Sequence, residues 1–176
     1  EAELLTSPAA PVVILQRREQ TSLAKGIAPG NRTVGAMLSS APVQHLLMRE
    51  LGTPVVATSG NLSDEPIVTD EQEAVRRLAG IADAFLIHDR PIARPMDDSV
   101  VRMAGSGPII LRRARGLVPR PIRLPESLAG HVEGPVLAVG GHLKNTVALL
   151  DTEHVLVSQH LGDLSTLETE RATRQA

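Results

Sequence analysis

Short apolar runs, separated by turns that contain glycine or proline, make up most of this chain. Its 176 residues include 14 glycines and 13 prolines, and no apolar run approaches the roughly 20 residues that a membrane span needs. Interrupted runs of this kind favour short strands and helices. We predict strands at 12–15, 33–38, 55–58 and 84–88, a helix at 42–51 and a second helix that starts at Thr69 and runs to about residue 79. This alternation indicates a mixed α/β fold.

The two predicted helices carry start and stop signals. Ser40 could cap the first helix, and Gly52 would end it. Thr69 and Gln72 have the spacing of a capping box before the second helix, and Gly80 follows that helix.

The pattern changes after the first hundred residues. Strands predicted at 99–103 and 108–111 would pair around a Gly-Ser-Gly turn. Prolines and glycines then interrupt residues 117–135. Afterwards strands are predicted at 136–139, 143–150 and 155–158, with a helix from Asp163 onward. The sequence therefore predicts that a second domain opens near residue 136.

Composition excludes several classes of function. Phe85 is the only aromatic residue, so base stacking cannot be the main mode of nucleic-acid binding. The formal net charge of -2 provides no basic field for nucleic acid or anionic lipid. Cysteine is absent, which rules out disulfides and thiolate metal sites within the chain and fits a cytoplasmic protein. The first residues lack the basic-then-apolar order of a signal peptide.

A cluster of small polar groups follows the apolar run at 54–57. Thr58, Ser59 and Asn61 surround Gly60 where the predicted strand ends. Ligands of open α/β sheets collect at the carboxyl ends of strands, and hydroxyl, amide and exposed N–H groups suit phosphate or carboxylate. An ordinary loop has the same composition and remains the alternative.

Arginines are concentrated in one region, beside the acids Asp89, Asp97 and Asp98. They are Arg90, Arg94, Arg102, Arg112, Arg113, Arg115, Arg120 and Arg123. Guanidinium groups bind phosphate in pairs of hydrogen bonds, so some of these could clamp a nucleoside triphosphate. A surface of salt bridges and a contact with nucleic-acid backbone are the alternatives.

The predicted hairpin at 140–146 offers a third candidate. Lys144, Asn145 and Thr146 follow two glycines at a tight turn and could cradle a phosphate, although the spacing is not that of a Walker A loop. A plain turn is the alternative. The six histidines form neither HxxxH nor HExxH, so we predict no metal site within this chain.

Seven blocks, in order along the chain, resemble the hydrogenase maturation carbamoyltransferase family, HypF. They are PVVILQRR (11–18), IAPG (27–30), ATSGNLSDEPI (57–67), ADAFLIHDRPIARPMDDSVVR (82–102), LRRARGLVPRPIRLP (111–125), LAVGGHLKNT (137–146) and SQHLGDLSTLET (158–169). The resemblance implies the C-terminal part of a YrdC-like domain, a mixed twisted sheet with helices, at 1–125. A linker at 126–135 and the first β-hairpin of an actin-like ATPase-type domain at 136–176 would follow.

The resemblance also implies an activity. Members of this family activate a carbamoyl group from carbamoyl phosphate with ATP, as carbamoyladenylate. They transfer it to the C-terminal cysteine of HypE, where it becomes a source of cyanide for nickel–iron hydrogenase. ATP and Mg²⁺ are therefore expected, whereas zinc and the metal of the transferase domain would belong to regions outside this chain.

The site residues follow from the same resemblance. Ser59 and Asn61, beside Thr58, match the family's Ser-x-Asn nucleotide and carbamate contact. Ser99 resembles a residue of a second nucleotide-contacting strand, and Arg112 lies where relatives have an arginine near the phosphates. Lys144, Asn145 and Thr146 match a loop near the nucleotide of the transferase domain.

Two other functions stay open at this point. One is a threonylcarbamoyl-adenylate synthase for tRNA modification, against which the second domain argues. The other is a non-catalytic module that binds double-stranded RNA. The Lys-x-Arg motif of YrdC proteins is missing here, so we expect an interior fragment that is inactive alone.

Overall fold

The computed structural model describes residues 1–20, 23–63 and 65–164. The chain divides into two compact units. One comprises Glu1–Val56 and Asp98–Leu117, and the other comprises Ala57–Asp97 and Val118–Ala176.

A four-stranded mixed sheet is the centre of the first unit. Its strands are β1 (Val12–Gln16), β2 (Thr33–Ala36), β3 (Val100–Ala104) and β4 (Gly107–Arg112), in the order β2-β1-β3-β4. The β1 and β3 strands are parallel, and the other two pairs are antiparallel. A short helix, α1 (Ala2–Leu5), precedes the sheet. The predicted mixed α/β fold with a strand pair around the Gly-Ser-Gly turn is confirmed.

The core of this sheet is small and lies between its two parallel strands. Val13 pairs with Val101 in register, and both side chains are buried. Ala114 and Ser99 are buried beside them. β-Branched residues pack well on a pleated surface, which explains why these two valine runs become the central strands.

The helix α2 (Pro42–Leu51) matches its predicted span, but its start differs from the prediction. Ala41, not Ser40, is the capping residue, and the side chain of Gln44 accepts hydrogen bonds from the backbone N–H groups of both. Gly52 ends the helix at a φ of 62°, and its N–H bonds to the carbonyl of Met48. Pro at the first position suits a helix start, and left-handed backbone favours Gly at its end.

The second unit contains a helix and an antiparallel sheet. The helix α3 (Glu71–Leu78) begins after Asp70, whose carboxylate accepts a hydrogen bond from the N–H of Glu73 at 2.8 Å. The predicted box of Thr69 and Gln72 is therefore displaced by one residue. Asp70 caps the helix in place of Thr69, because its carboxylate accepts a hydrogen bond from a backbone N–H of the first turn and its negative charge complements the helix dipole.

The antiparallel sheet of this unit has the order β5-β8-β7-β6. Its strands are β5 (Ile122–Arg123), β6 (Val136–Ala138), β7 (Ala148–Leu150) and β8 (His154–Val157). A short helix, α4 (Glu126–Ala129), lies within the predicted linker. The hairpin of β6 and β7 is present as predicted.

Two predicted strands, at 55–58 and 84–88, are wrong. Both segments lack regular secondary structure, and no ladder joins them to either sheet among the described residues. Val56 is 78% exposed and Leu86 is 74% exposed. An apolar run becomes a strand only where a neighbour supplies its backbone hydrogen bonds, which sequence alone does not reveal.

The strand predicted at 143–150 begins only at Ala148, so the hairpin loop is wider than expected. Lys144 has a φ of 53°, and the backbone of Asn145 bonds to Gly162 instead of β6. The helix predicted from Asp163 lies almost wholly outside the described residues. Within the described part of the chain, no helix has both the length and the apolar character to cross a membrane.

Candidate functional site

The polar cluster after the apolar run lies in an exposed loop of the second unit. Thr58 and Ser59 are both exposed. The carbonyl of Gly60 accepts a hydrogen bond from the N–H of Val68, at 3.0 Å, which closes the loop. Leu78 of α3 lies against Gly60, where an added Cβ would meet its Cδ1 at 3.8 Å. The two hydroxyls are therefore presented on a loop that is fixed at its base.

Asn61 organises this loop with one end of its amide. Its Nδ2 donates to the carbonyl of Leu62 at 2.8 Å and to the carbonyl of Glu65 at 3.0 Å. Its Oδ1 is buried and has no hydrogen-bond partner among the described residues. An unpaired buried acceptor is costly, so this oxygen is a candidate acceptor for a donor group on a ligand.

Ser99 lies in the core of the first unit. It is 0% exposed, and its Oγ donates to the carbonyl of Arg115 and accepts from the N–H of Ala114, both at 2.9 Å. The hydroxyl thus ties the start of β3 to the segment after β4. Any contact between Ser99 and a nucleotide stays a prediction.

The arginine-rich segment serves in part to hold the first unit together. Arg112 ends β4, opposite Val100, and is half-buried. Arg115 forms an ion pair with Asp98 at 2.8 Å and donates to the carbonyl of Ala10 at 3.0 Å. Arg115 therefore takes part in a salt bridge, which was one of the alternatives to phosphate binding for the arginine-rich region.

The five residues predicted to bind the nucleotide and carbamate fall in different units. Thr58, Ser59 and Asn61 belong to the second unit, and Ser99 and Arg112 belong to the first. Within the second unit, the three polar residues are adjacent on one loop. A pocket formed with Arg112 stays a prediction.

The loop between β6 and β7 is held by Asp163, for which the sequence had indicated no site role. Asp163 accepts a hydrogen bond from the N–H of Lys144 at 2.7 Å and forms an ion pair with its Nζ at 3.4 Å. The backbone N–H of Lys144, more than the ammonium, lowers the pKa of Asp163 below its ordinary value. Lys144 is otherwise exposed.

Asn145 anchors the same loop from inside. It is 2% exposed, its N–H donates to the carbonyl of Gly162, and its carbonyl accepts from the N–H of Leu161. Its Oδ1 lies against Gly140, where an added Cβ would collide with it, and has no hydrogen-bond partner among the described residues. Thr146, next to it, is half-buried. The three predicted loop residues are therefore adjacent, on a loop that is hydrogen-bonded to residues 161–163.

A second group of residues that was not predicted lies nearby in this unit. Nδ1 of His160 is 2.8 Å from Oδ2 of Asp97, and Nε2 of Gln159 donates to the carbonyl of Pro95 at 2.8 Å. Gln159 and His160 lie in the block SQHLGDL (158–164), which is part of the resemblance to the family. Membership of that block was the sequence signal that could have identified them. Among the described residues, no three His, Asp or Glu side chains come together as metal ligands.

Two family models match the chain in succession. The Sua5/YciO/YrdC model, described as "Telomere recombination", matches residues 1–114. The model described as "HypF Kae1-like domain" matches residues 131–176.

Curated relatives match over nearly all of the chain. The carbamoyltransferase HypF of Synechocystis sp. is 52% identical over 169 residues, which are 96% of this chain and 22% of the relative. The carbamoyltransferase HypF of Rhodobacter capsulatus is 44% identical over 98% of this chain and 22% of the relative. The chain thus spans about a fifth of the length of these relatives.

Solved structures give the same result. A full-length HypF in the phosphate- and nucleotide-bound form has a TM-score of 0.89 and 41% identity, covering 99% of this chain and 27% of that one. The HypF of T. kodakarensis has a TM-score of 0.90 and 37% identity, covering 100% of this chain and 22% of that one. The chain is therefore similar to these proteins in sequence as well as in fold.

Proposed function

Since the chain belongs to the HypF carbamoyltransferase family, we propose that it is part of an enzyme that activates and transfers a carbamoyl group. Carbamoyl phosphate supplies the group, ATP activates it, and the C-terminal cysteine of HypE accepts it on the route to the cyanide ligands of nickel–iron hydrogenase. The succession of the two family matches in one chain is the observation that carries this proposal. The cytoplasm is the proposed location.

The proposed reaction has three balanced steps. Hydrolysis of carbamoyl phosphate gives carbamate and phosphate. A carbamate oxygen then attacks the α-phosphorus of ATP, which forms carbamoyladenylate and releases pyrophosphate. Finally the acceptor thiolate attacks the carbamoyl carbon, which forms a thiocarbamate and releases AMP. Carbamate decomposes readily in water, so the enzyme gains from holding it in place and excluding solvent.

We assign the activation site to residues 1–125, the C-terminal part of the YrdC-like domain, with a linker at 126–135 and the transferase domain from 136. In that site the hydroxyls of Thr58 and Ser59 would donate to phosphate or carboxylate oxygens. The unpaired Oδ1 of Asn61 suits a donor such as the NH₂ group of carbamate. Ser99 would support the second strand of the site.

Charge on the phosphates would be met by Arg112, whose guanidinium keeps its charge at any working pH. Lys144, Asn145 and Thr146 would lie near the nucleotide in the transferase step. Mg²⁺ would arrive on the phosphates of ATP and neutralise part of their charge. The nucleotide-bound relative supports a nucleotide site in this family.

Isotope exchange tests the proposal in the full-length protein. Pyrophosphate should exchange into ATP only when carbamoyl phosphate is present. Ser59→Ala and Asn61→Ala should each lower the exchange by about tenfold or more, the usual scale for one lost polar contact in a site. Ser127→Ala, an exposed serine of α4, is the matched control.

The outcomes separate the proposal from its rivals. Exchange that requires threonine and bicarbonate in place of carbamoyl phosphate would identify the tRNA-modifying activity instead. Binding of double-stranded RNA with a steep salt dependence and no competition by ATP would favour the RNA module. Unchanged exchange in both variants, with unfolding midpoints equal to wild type, would remove Ser59 and Asn61 from the site.

A further inference from the structure

One short segment, residues 158–164, holds the loop that carries Lys144, Asn145 and Thr146. Ser158 donates its N–H to the carbonyl of Val147 at 2.7 Å, and Leu161 donates to Asn145 at 2.9 Å. Asn145 donates in turn to Gly162 at 2.8 Å. These bonds, with the ion pair of Asp163 and Lys144, fix the loop to one side of the segment.

The other side of the same segment contacts residues 95–97. His160 is hydrogen-bonded to Asp97 and Gln159 to the carbonyl of Pro95, each at 2.8 Å. Residues 95–97 lie in the first family match, 1–114, whereas residues 159–161 lie in the second, 131–176. Segment 158–164 therefore touches both modules within one compact unit.

The His160–Asp97 contact is partly shielded from solvent. Its side chains are 14% and 27% exposed, and they line a cavity of about 50 Å³ beside Ile67, Met96 and Leu161. Because the carboxylate can only accept, Nδ1 of His160 carries the hydrogen, and this fixes the orientation of the ring. Nε2 is buried without a hydrogen-bond partner among the described residues. A bond in such surroundings constrains position more than an exposed one does.

We propose that residues 158–164 are a coupling segment and that His160 and Asp97 are positioning residues for carbamoyl transfer. Their bond holds the Lys144–Thr146 loop in a fixed place relative to residues 95–97, where the activating module meets the transferase module. The inference rests on the proposed function. Loss of the bond should impair transfer to the thiol, which needs both modules, while adenylate formation continues.

The test uses the full-length protein and two readouts. Carbamoyl-phosphate-dependent pyrophosphate exchange reports adenylate formation, and labelled carbamoyl incorporated into HypE reports transfer. Asp97→Ala and His160→Leu should each reduce transfer by about tenfold and leave exchange within twofold of wild type. In His160→Asn the amide NH₂ can take the place of Nδ1, so this variant should recover most of the transfer. His131→Gln, at an exposed position, is the control.

Two results count against this proposal, and a different one counts against the proposed function. Equal losses of exchange and transfer, or wild-type transfer in His160→Leu, would overturn the coupling proposal. A wild-type protein without exchange would instead refute the proposed function. For that case, a thermal-unfolding cycle of Asp97→Ala, His160→Leu and the double variant needs no activity: non-additive losses support the coupling contact, and additive losses contradict it.

Discussion

Two polar residues, Ser99 and Asn145, are among the few buried residues of the described chain. Each ties together backbone segments that are distant in sequence. Ser99 does so with its hydroxyl, at Ala114 and Arg115, and Asn145 with its backbone, at Leu161 and Gly162. Leaving a buried polar group unpaired is costly, so the paired hydroxyl of Ser99 and the paired backbone of Asn145 each favour one arrangement of their neighbours.

Removal of the hydroxyl of Ser99 should destabilise the first unit. In Ser99→Ala, the buried N–H of Ala114 loses its partner, which costs about 2 kcal/mol in free energy of unfolding. Urea denaturation measures this loss. Ser106→Ala, in the exposed turn between β3 and β4, should change stability by less than about 0.5 kcal/mol. Equal stability of the two variants would contradict the structural role of Ser99.

A side chain at Gly116 should be tolerated even less. Gly116 has a φ of 83°, and a Cβ there would collide with the backbone of Ala9. Gly116→Ala combines backbone strain with a clash and should cost more than about 2 kcal/mol. Gly105→Ala is the control because no atom lies within 4 Å of its added Cβ. Denaturation midpoints of the pair check the prediction, and a Gly116→Ala variant as stable as Gly105→Ala would refute it.

At the level of elements, the helix α3 depends on its first cap. Asp70→Ala removes the acceptor for the N–H of Glu73 and should cost about 1 kcal/mol. Hydrogen exchange of the amides in α3 should accelerate accordingly. Asp83→Ala, at an exposed position outside the helix, should leave that exchange unchanged. Equal protection in the two variants would show that Asp70 does not cap α3.

Elements with strong local signals were predictable, and those that need a partner were not. The span of α2 follows from its apolar spacing and from Gly52, and β1 and β3 follow from their valine runs. The segment 84–88 has a similar apolar composition, yet it forms no strand. The local sequence pattern gives only the tendency of a segment to form a strand, whereas actual strand formation depends on a second strand lying beside it.

On the scale of the whole molecule, the pH dependence of stability has a calculable sign. The backbone N–H groups of Glu153 and, to a smaller extent, His154 lower the pKa of Asp151 below 3.8. The backbone N–H of Lys144 lowers the pKa of Asp163 in the same way. Because the folded pKa is the lower one, these carboxylates stabilise the fold fully above pH 3.8 and lose that effect as pH falls through their folded pKa values.

Unfolding midpoints measured between pH 7 and pH 2 should therefore decrease below about pH 4. The double variant Asp151→Asn, Asp163→Asn should have a flatter profile in that range because neither amide titrates. NMR titration of the two carboxyl groups gives a direct check. Folded pKa values at or above 3.8 would contradict the hydrogen-bond assignments.

The sequence by itself determined the mixed α/β class, most of the strands and helices, the family, and the candidate residues Ser59, Asn61 and Lys144. Only the tertiary structure decided that Ser99 is enclosed in a core and that His160 meets Asp97, 63 positions away. The physical reason is range. Periodicity, turns and motifs are properties of neighbouring residues, whereas burial and long-range hydrogen bonds exist only once distant segments pack together.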